Sequence, residues 1–169
     1  MVVEGVEKAS GKKVAIKVME LASRGSREVA YLRQEAQVMQ TIATTGGHPN
    51  VLRLLHAEEE EGKLFLVLEY CAGGSLRSLL QASPAKRLQE RQAAHFLRQL
   101  AAGLVFLARY DIVHRDLKTD NLMLDAPNAA ATLKIGDFGF SKQLADRAVD
   151  TFALLFQLGK NTFSLPLGR

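Results

Sequence analysis

Short apolar runs alternate with charged turns over the first seventy residues. Positions 2–6 and 13–18 are β-prone, and the charged, glycine-containing segment 7–12 between them predicts a hairpin. From 27 to 43 the period changes. Leu32, Ala36, Met39 and Ala43 recur at spacings of four, three and four, one face of a helix, until Gly46-Gly47-His48-Pro49-Asn50 breaks it. Positions 51–55 and 64–68 read as two more strands, with the acidic run Glu58-Glu59-Glu60-Glu61 as a solvated turn between them.

After Cys71-Ala72-Gly73-Gly74 the pattern turns helical. Ser75 is placed to cap a short helix, and 89–109 carries Leu97, Leu100, Leu104 and Leu107 as a stripe for the core. Short strand-like runs follow at 122–124 and 133–135, separated by a small loop insertion at 126–131. The sum is an α+β chain of two lobes, a sheet with one helix and then helical structure, with a cleft at the Gly-Gly joint.

Composition narrows the function classes. Of 169 residues, 47% are hydrophobic and 24% charged, a globular balance that argues against wholesale disorder. The net charge of +4 is spread among acids, so it does not demand nucleic acid, and nucleic acid is not among the expected partners. One cysteine, Cys71, permits no intramolecular disulfide and no thiolate zinc cluster, and it reads as a small packing residue. No run reaches the length of a transmembrane span and the first residues lack a signal-peptide pattern, so the expectation is a soluble, cytoplasmic protein.

The chemistry concentrates in His114-Arg115-Asp116-Leu117-Lys118-Thr119-Asp120-Asn121 and, one strand later, Asp137-Phe138-Gly139. Two acidic loops, each attached to a short strand, can converge on Mg²⁺, a hard cation that keeps company with phosphates; Asn121 and Asp137 are suitable oxygen donors. Asp116 is left to orient a hydroxyl or take its proton, and Lys118 can neutralise phosphate charge. Ala15 and Lys17 share one strand face; such a lysine either leaves for solvent or lines a cleft.

Val14-Ala15-Ile16-Lys17, then HRDLKTDN, then Asp137-Phe138-Gly139, in this order, resembles the signature set of the eukaryotic protein kinases. The resemblance implies a kinase-like fold with an incomplete N-lobe over 1–68, a hinge over 69–74 and a partial, mainly helical C-lobe over 75–151, followed by a divergent tail over 152–169. It implies that Lys17 grips the α- and β-phosphates of ATP and that Glu35, rather than Glu28, is its helix partner. It implies that the backbone at Glu69 and Cys71 bonds adenine, with Leu68 as gatekeeper and Val2, Ala15 and Met123 closing over the ring. Asp116 and Lys118 become catalytic, Asn121 and Asp137 ligands to Mg²⁺, and His114, Phe138, Met39 and Leu54 structural.

The Lys118 spacing resembles the serine/threonine rather than the tyrosine kinases, although threonine at 119 stands where proline is usual, and four residues are inserted at 44–47. The framework at 94–104 and 133–141 looks most like the autophagy-initiating ULK-like kinases. Implied partners are ATP, a protein substrate with a Ser or Thr acceptor, and regulatory proteins. No glycine-rich phosphate loop precedes residue 2, no APE motif follows Thr151, and helices that would cover the 97–107 stripe are missing, so weak transfer or none is expected of this chain. Residues 152–158 either fold back over that surface or are foreign sequence. A catalytically impaired chain acting as a binding or regulatory module is the alternative.

Overall fold

The computed structural model describes residues 1–144. Strands β1 (Val2–Val6) and β2 (Lys13–Glu20) form the expected antiparallel hairpin, with Glu4 opposite Ala15 and Val2 opposite Lys17. Helix α1 (Ser26–Thr44) follows, then β3 (Leu54–Glu60) and β4 (Lys63–Glu69), and the four strands make one sheet in the order β1-β2-β4-β3. β4 alternates buried Leu64, Leu66 and Leu68 with half-buried neighbours. Those leucines join Ala36, Val38, Met39 and Ile42 of α1 in the core, which is why the helix lies on that face.

Two expectations about this lobe need correction. The acidic run is not a turn: Glu58, Glu59 and Glu60 continue β3, and only Glu61 and Gly62, both at positive φ, make the connection. Paired to β4 on one side only, β3 is an edge strand with most of its side chains in water, where charge is tolerated and blocks stray pairing; Arg33 of α1 also meets Glu59 at 2.6 Å. Nor do residues 51–53 belong to that strand. Val51 instead bridges in parallel to Ile135, with Leu52 N–H donating to the Ile135 carbonyl at 2.8 Å and Ile135 N–H to the Asn50 carbonyl at 2.9 Å.

Beyond the joint come β5 (Gly74–Ser75) and α2 (Leu76–Ala82), whose N-cap is the expected Ser75, accepting the Ser78 N–H at 3.1 Å. Then follow α3 (Glu90–Arg109), β6 (Ile112–Val113), β7 (Leu122–Leu124), β8 (Leu133–Ile135) and β9 (Lys142–Gln143). These strands form two small sheets, β5-β7-β8 and β6-β9. α3 buries Phe96, Leu100, Gly103, Leu104 and Leu107, but Leu97, expected in the core, is 49% exposed. At 3.6 residues per turn the buried arc centres near Leu107, about 80° round the helix from Leu97, and Phe96 fills the place assigned to it.

The lobes are tied through α3 and β8. Gln99 Oε1 accepts from Asn50 Nδ2 at 2.9 Å and from Leu133 N–H at 2.7 Å, and Gly103 lies so close that a Cβ there would sit 2.8 Å from the Asn50 carbonyl oxygen. A bare backbone at 103 lets the helix reach the strand that leads to Asp137. Among the described residues no helix is long and apolar enough to cross a membrane. The tail at 152–169 lies outside the described residues.

Candidate active site between the lobes

Lys17 leaves β2 toward α1 and meets Glu35 there, Nζ to Oε1, at 2.6 Å. Glu35 is 2% exposed, and burial pushes its carboxyl up despite the neighbouring ammonium. The same Nζ donates to Asp137 Oδ1 at 3.0 Å. Burial works against the Lys17 charge, but the two carboxylates outweigh it and hold the ammonium above its usual range. For Asp137, burial is outweighed by Lys17 and by the Gly139 N–H, so its carboxyl lies below the usual range and stays ionised. Glu28, the other acid of this helix, pairs instead with Arg24 at 3.4 Å.

Lys17, Glu35 and Asp137 line a cavity of about 380 Å³. Its walls include Val2 and Ala15 from the sheet, Leu68, Glu69 and Cys71 from the joint, and Asn121, Met123 and Asp137 from the second lobe. Every residue expected to bind nucleotide or metal therefore faces one space. At the joint, Glu69 N–H is taken by the Arg53 carbonyl at 3.0 Å and the Cys71 carbonyl by the Gly74 N–H at 3.1 Å. What remains for a flat heterocycle is the Glu69 carbonyl and the Cys71 N–H, an acceptor beside a donor. Burial pushes the Cys71 thiol up to about 12, in keeping with a packing role.

The loop from His114 to Asn121 is held from behind. His114 is 1% exposed, packs edge-on against Phe138 at 5.1 Å, and bonds the Gly136 carbonyl through Nε2 at 2.8 Å while Nδ1 accepts the Asp116 N–H at 3.3 Å. Burial keeps its pKa below the usual histidine value, and the neutral Nε2–H tautomer satisfies both bonds. Arg115 donates Nε to the Phe140 carbonyl at 2.6 Å. Arg115 and Asp137 adopt φ of +65° and +59°, left-handed conformations that cost non-glycine residues energy and gather at functional sites.

Asp116 and Lys118 do not line the cavity; they border it through Asn121. Lys118 Nζ lies 2.6 Å from Asp116 Oδ2, and Asn121 Nδ2 donates to the same oxygen at 3.0 Å and to the Asp116 carbonyl at 2.8 Å. Asp116 Oδ1 is thereby left for an incoming hydroxyl. With its NH₂ group committed, Asn121 has its Oδ1 to offer a cation, and Asp137 supplies a charged oxygen in the same cavity. Such a sparse oxygen set fits Mg²⁺, which takes one or two protein ligands and completes its shell with phosphate and water. Among the described residues no group of three or more His, Cys, Asp or Glu side chains could hold a metal by itself.

Sequence reasoning missed Leu52 and Gly136 in the cavity wall and Gln99 behind it. Leu52 reaches the site because residues 50–52 run along β8, a pairing no local pattern announces.

The protein kinase domain model matches residues 1–155. Serine/threonine-protein kinase ATG1a of Arabidopsis thaliana is 38% identical over 146 residues, covering 86% of this chain and 22% of the relative. ATG1b of the same plant is 39% identical over 146 residues, covering 86% and 20%. The human hormonally up-regulated neu tumor-associated kinase is 40% identical over 140 residues, covering 82% and 18%. The chain thus spans about a fifth of the length of the curated relatives it matches. With the family match covering all but the last residues, and the lysine, paired acids and loop carboxylate brought together around one cleft, the chain belongs to the protein kinase family.

Proposed function

We propose that this chain is the catalytic core of a serine/threonine protein kinase, carrying the γ-phosphoryl group of ATP to a protein hydroxyl. The observation that supports this most is the single Lys17 ammonium shared by Glu35 and Asp137 at 2.6 and 3.0 Å, which draws the upper lobe, its helix and the loop after β8 into one phosphate-facing cluster. In this reading 1–68 and 75–151 are the two lobes and 69–74 the hinge.

Glu69 and Cys71 would hold adenine edge-on between Val2, Ala15 and Met123, and Lys17 would hold the α- and β-phosphates. Asn121 and Asp137 would hold Mg²⁺, which neutralises charge on the transferring group when bound. Asp116 Oδ1 orients the substrate hydroxyl and receives its proton as the oxygen bonds to the γ-phosphorus. The bond from that phosphorus to the β–γ bridging oxygen breaks, and ADP carries off the electron pair. Lys118 offsets developing negative charge beside Asp116.

The Lys118 spacing and the two Arabidopsis relatives named as serine/threonine-protein kinases support Ser or Thr as acceptor. The framework resemblance to autophagy-initiating kinases supports a place in that signalling, in the cytoplasm and under regulatory partners. A non-catalytic binding module has less support, because Lys17, Asp116, Asn121 and Asp137 are all present, three of them lining one cleft and Asp116 bonded to Asn121 at its border. The test is thermal unfolding of the chain with and without ATP and Mg²⁺, beside Asp137→Ala: a ligand bound only by the fold raises the midpoint. A rise that the variant reduces supports the reading, and no rise at saturating nucleotide counts against it.

A further inference from the structure

The strand alternation of β8 buries Leu133 and Ile135 and turns Lys134 the other way, where a lysine is expected to reach solvent. It does not: the Lys134 side chain is only 12% exposed. Its Nζ lies 3.0 Å from Glu69 Oε2 and donates to the Pro49 carbonyl at 3.1 Å. The other Glu69 oxygen, Oε1, accepts the Arg53 N–H at 2.7 Å, while Glu69 N–H donates to the Arg53 carbonyl at 3.0 Å. Glu69 is therefore tied by backbone and side chain to segment 49–53, and that segment is tied to β8 through Leu52 and Ile135. Lys134 closes the ring, three positions before Asp137.

The geometry points to Lys134 as a positioning residue that fixes the hinge backbone at Glu69 relative to Asp137, so that the base-reading edge and the phosphate end of the cleft stay one nucleotide apart. It acts from outside the nucleotide space: Glu69 lines both the central cleft and a second cavity of about 260 Å³, and Lys134 lines only the latter. A poorly hydrated ion pair with a second acceptor is stiffer than an exposed one, and removing one partner leaves the other charge without its counter-ion. Loss of Lys134 would leave Glu69 Oε2 without its counter-ion, held only through Oε1 and the Arg53 N–H, and let the hinge drift, weakening nucleotide binding without deleting any group that touches nucleotide. This inference rests on the kinase reading above.

The experiment is calorimetric titration of ADP with Mg²⁺ into wild type, Lys134→Met, Glu69→Gln, the double variant and Lys134→Arg, with unfolding midpoints recorded beside it. Each single variant should bind ADP about five- to tenfold more weakly, the double no more weakly than either single, and Lys134→Arg within about twofold of wild type, because coupled partners are not additive. A purely structural role would not give this pattern of non-additivity and rescue. Folded single variants that bind like wild type, or losses that multiply in the double, would overturn the inference. Should Lys134→Met not fold, Glu69→Gln and Lys134→Arg decide it by the same criterion. Absence of ADP binding to wild type would instead sink the kinase reading, and this inference with it.

Discussion

Lys17 and Asp137 are 120 positions apart in the chain, yet the lysine Nζ lies 3.0 Å from the aspartate Oδ1 and 2.6 Å from Glu35. One ammonium thus bridges two carboxylates that would otherwise repel across the cleft, and the placement of Asp137 depends on a residue in the first hairpin. The relationship makes the cleft a unit whose parts fail together.

Replacing Lys17 with methionine leaves Glu35, 2% exposed, without its counter-ion. At pH 7.5 we expect a loss on the order of 2 kcal/mol, below the range for a fully buried pair because Lys17 keeps some solvent and Glu35 can take up a proton. Burial already raises the Glu35 carboxyl, so the loss should shrink at pH 5.5, where protonation removes the stranded charge. Urea unfolding at the two pH values checks this; equal losses would mean that Glu35 is not the residue stranded.

His114 carries a pH dependence of the opposite sense. Its pKa in the fold lies below the ordinary value of 6.5 because burial disfavours the imidazolium. The unfolded chain then binds protons that the folded chain does not. The stability His114 contributes is complete above pH 6.5 and is lost as pH falls from there toward the folded value. Protonation also removes the acceptor for the Asp116 N–H. We expect the midpoint to fall between pH 7.5 and 5.5, and His114→Phe, which cannot titrate, to flatten that slope; an unchanged slope would place the titration elsewhere.

Local pattern made the hairpin, α1, α3 and the Ser75 cap legible, since each is written in neighbouring residues. The loop chemistry was legible because Asp116, Asn121 and Asp137 sit in short motifs. What pattern could not show was pairing at a distance. Val51 resembled a strand start, but its partner is Ile135, and the run from Glu58 to Glu60 resembled a turn because an edge strand can be as polar as a loop. Leu97 fitted the stripe by spacing, yet a helix buries an arc, and Phe96 and Gly103 set where that arc lies. Lys134 gave no signal, because only the fold brings Glu69 beside it.

Cys71 should be inert in the folded chain. With its thiol pushed up to about 12, the thiolate at pH 8 is about one part in ten thousand, and it is the thiolate that reacts. Iodoacetamide at pH 8 should leave native protein unlabelled over an hour and label it within minutes in urea. Rapid native labelling would mean that the joint opens far more than its packing indicates.

Gly103 tests whether close approach or helix propensity decides its identity. In an exposed helix interior, alanine is better than glycine by about 1 kcal/mol, so propensity alone says Gly103→Ala should stabilise. Here the added Cβ would stand 2.8 Å from the Asn50 carbonyl oxygen and 2.8 Å from Ile135 Cδ1. Ile135 could turn its side chain, but Asn50 cannot yield cheaply. Its carbonyl accepts the Ile135 N–H at 2.9 Å, and its amide donates to Gln99 Oε1 and to the Leu133 carbonyl, both at 2.9 Å. Moving it would shift β8, and with it Asp137. Overpacking should therefore outweigh propensity, for a net loss of about 1–3 kcal/mol and a midpoint lower by several degrees in a chain of 169 residues. Ala102→Gly at the neighbouring exposed position is the control, costing about 1 kcal/mol through propensity alone. Because the displaced strand leads directly to Asp137, a cation ligand of the proposed site, Gly103→Ala should also weaken ADP binding while the control does not. A stabilised Gly103→Ala would show that α3 and segment 50–52 have room to separate, and that β8 is not the rigid link between the two lobes.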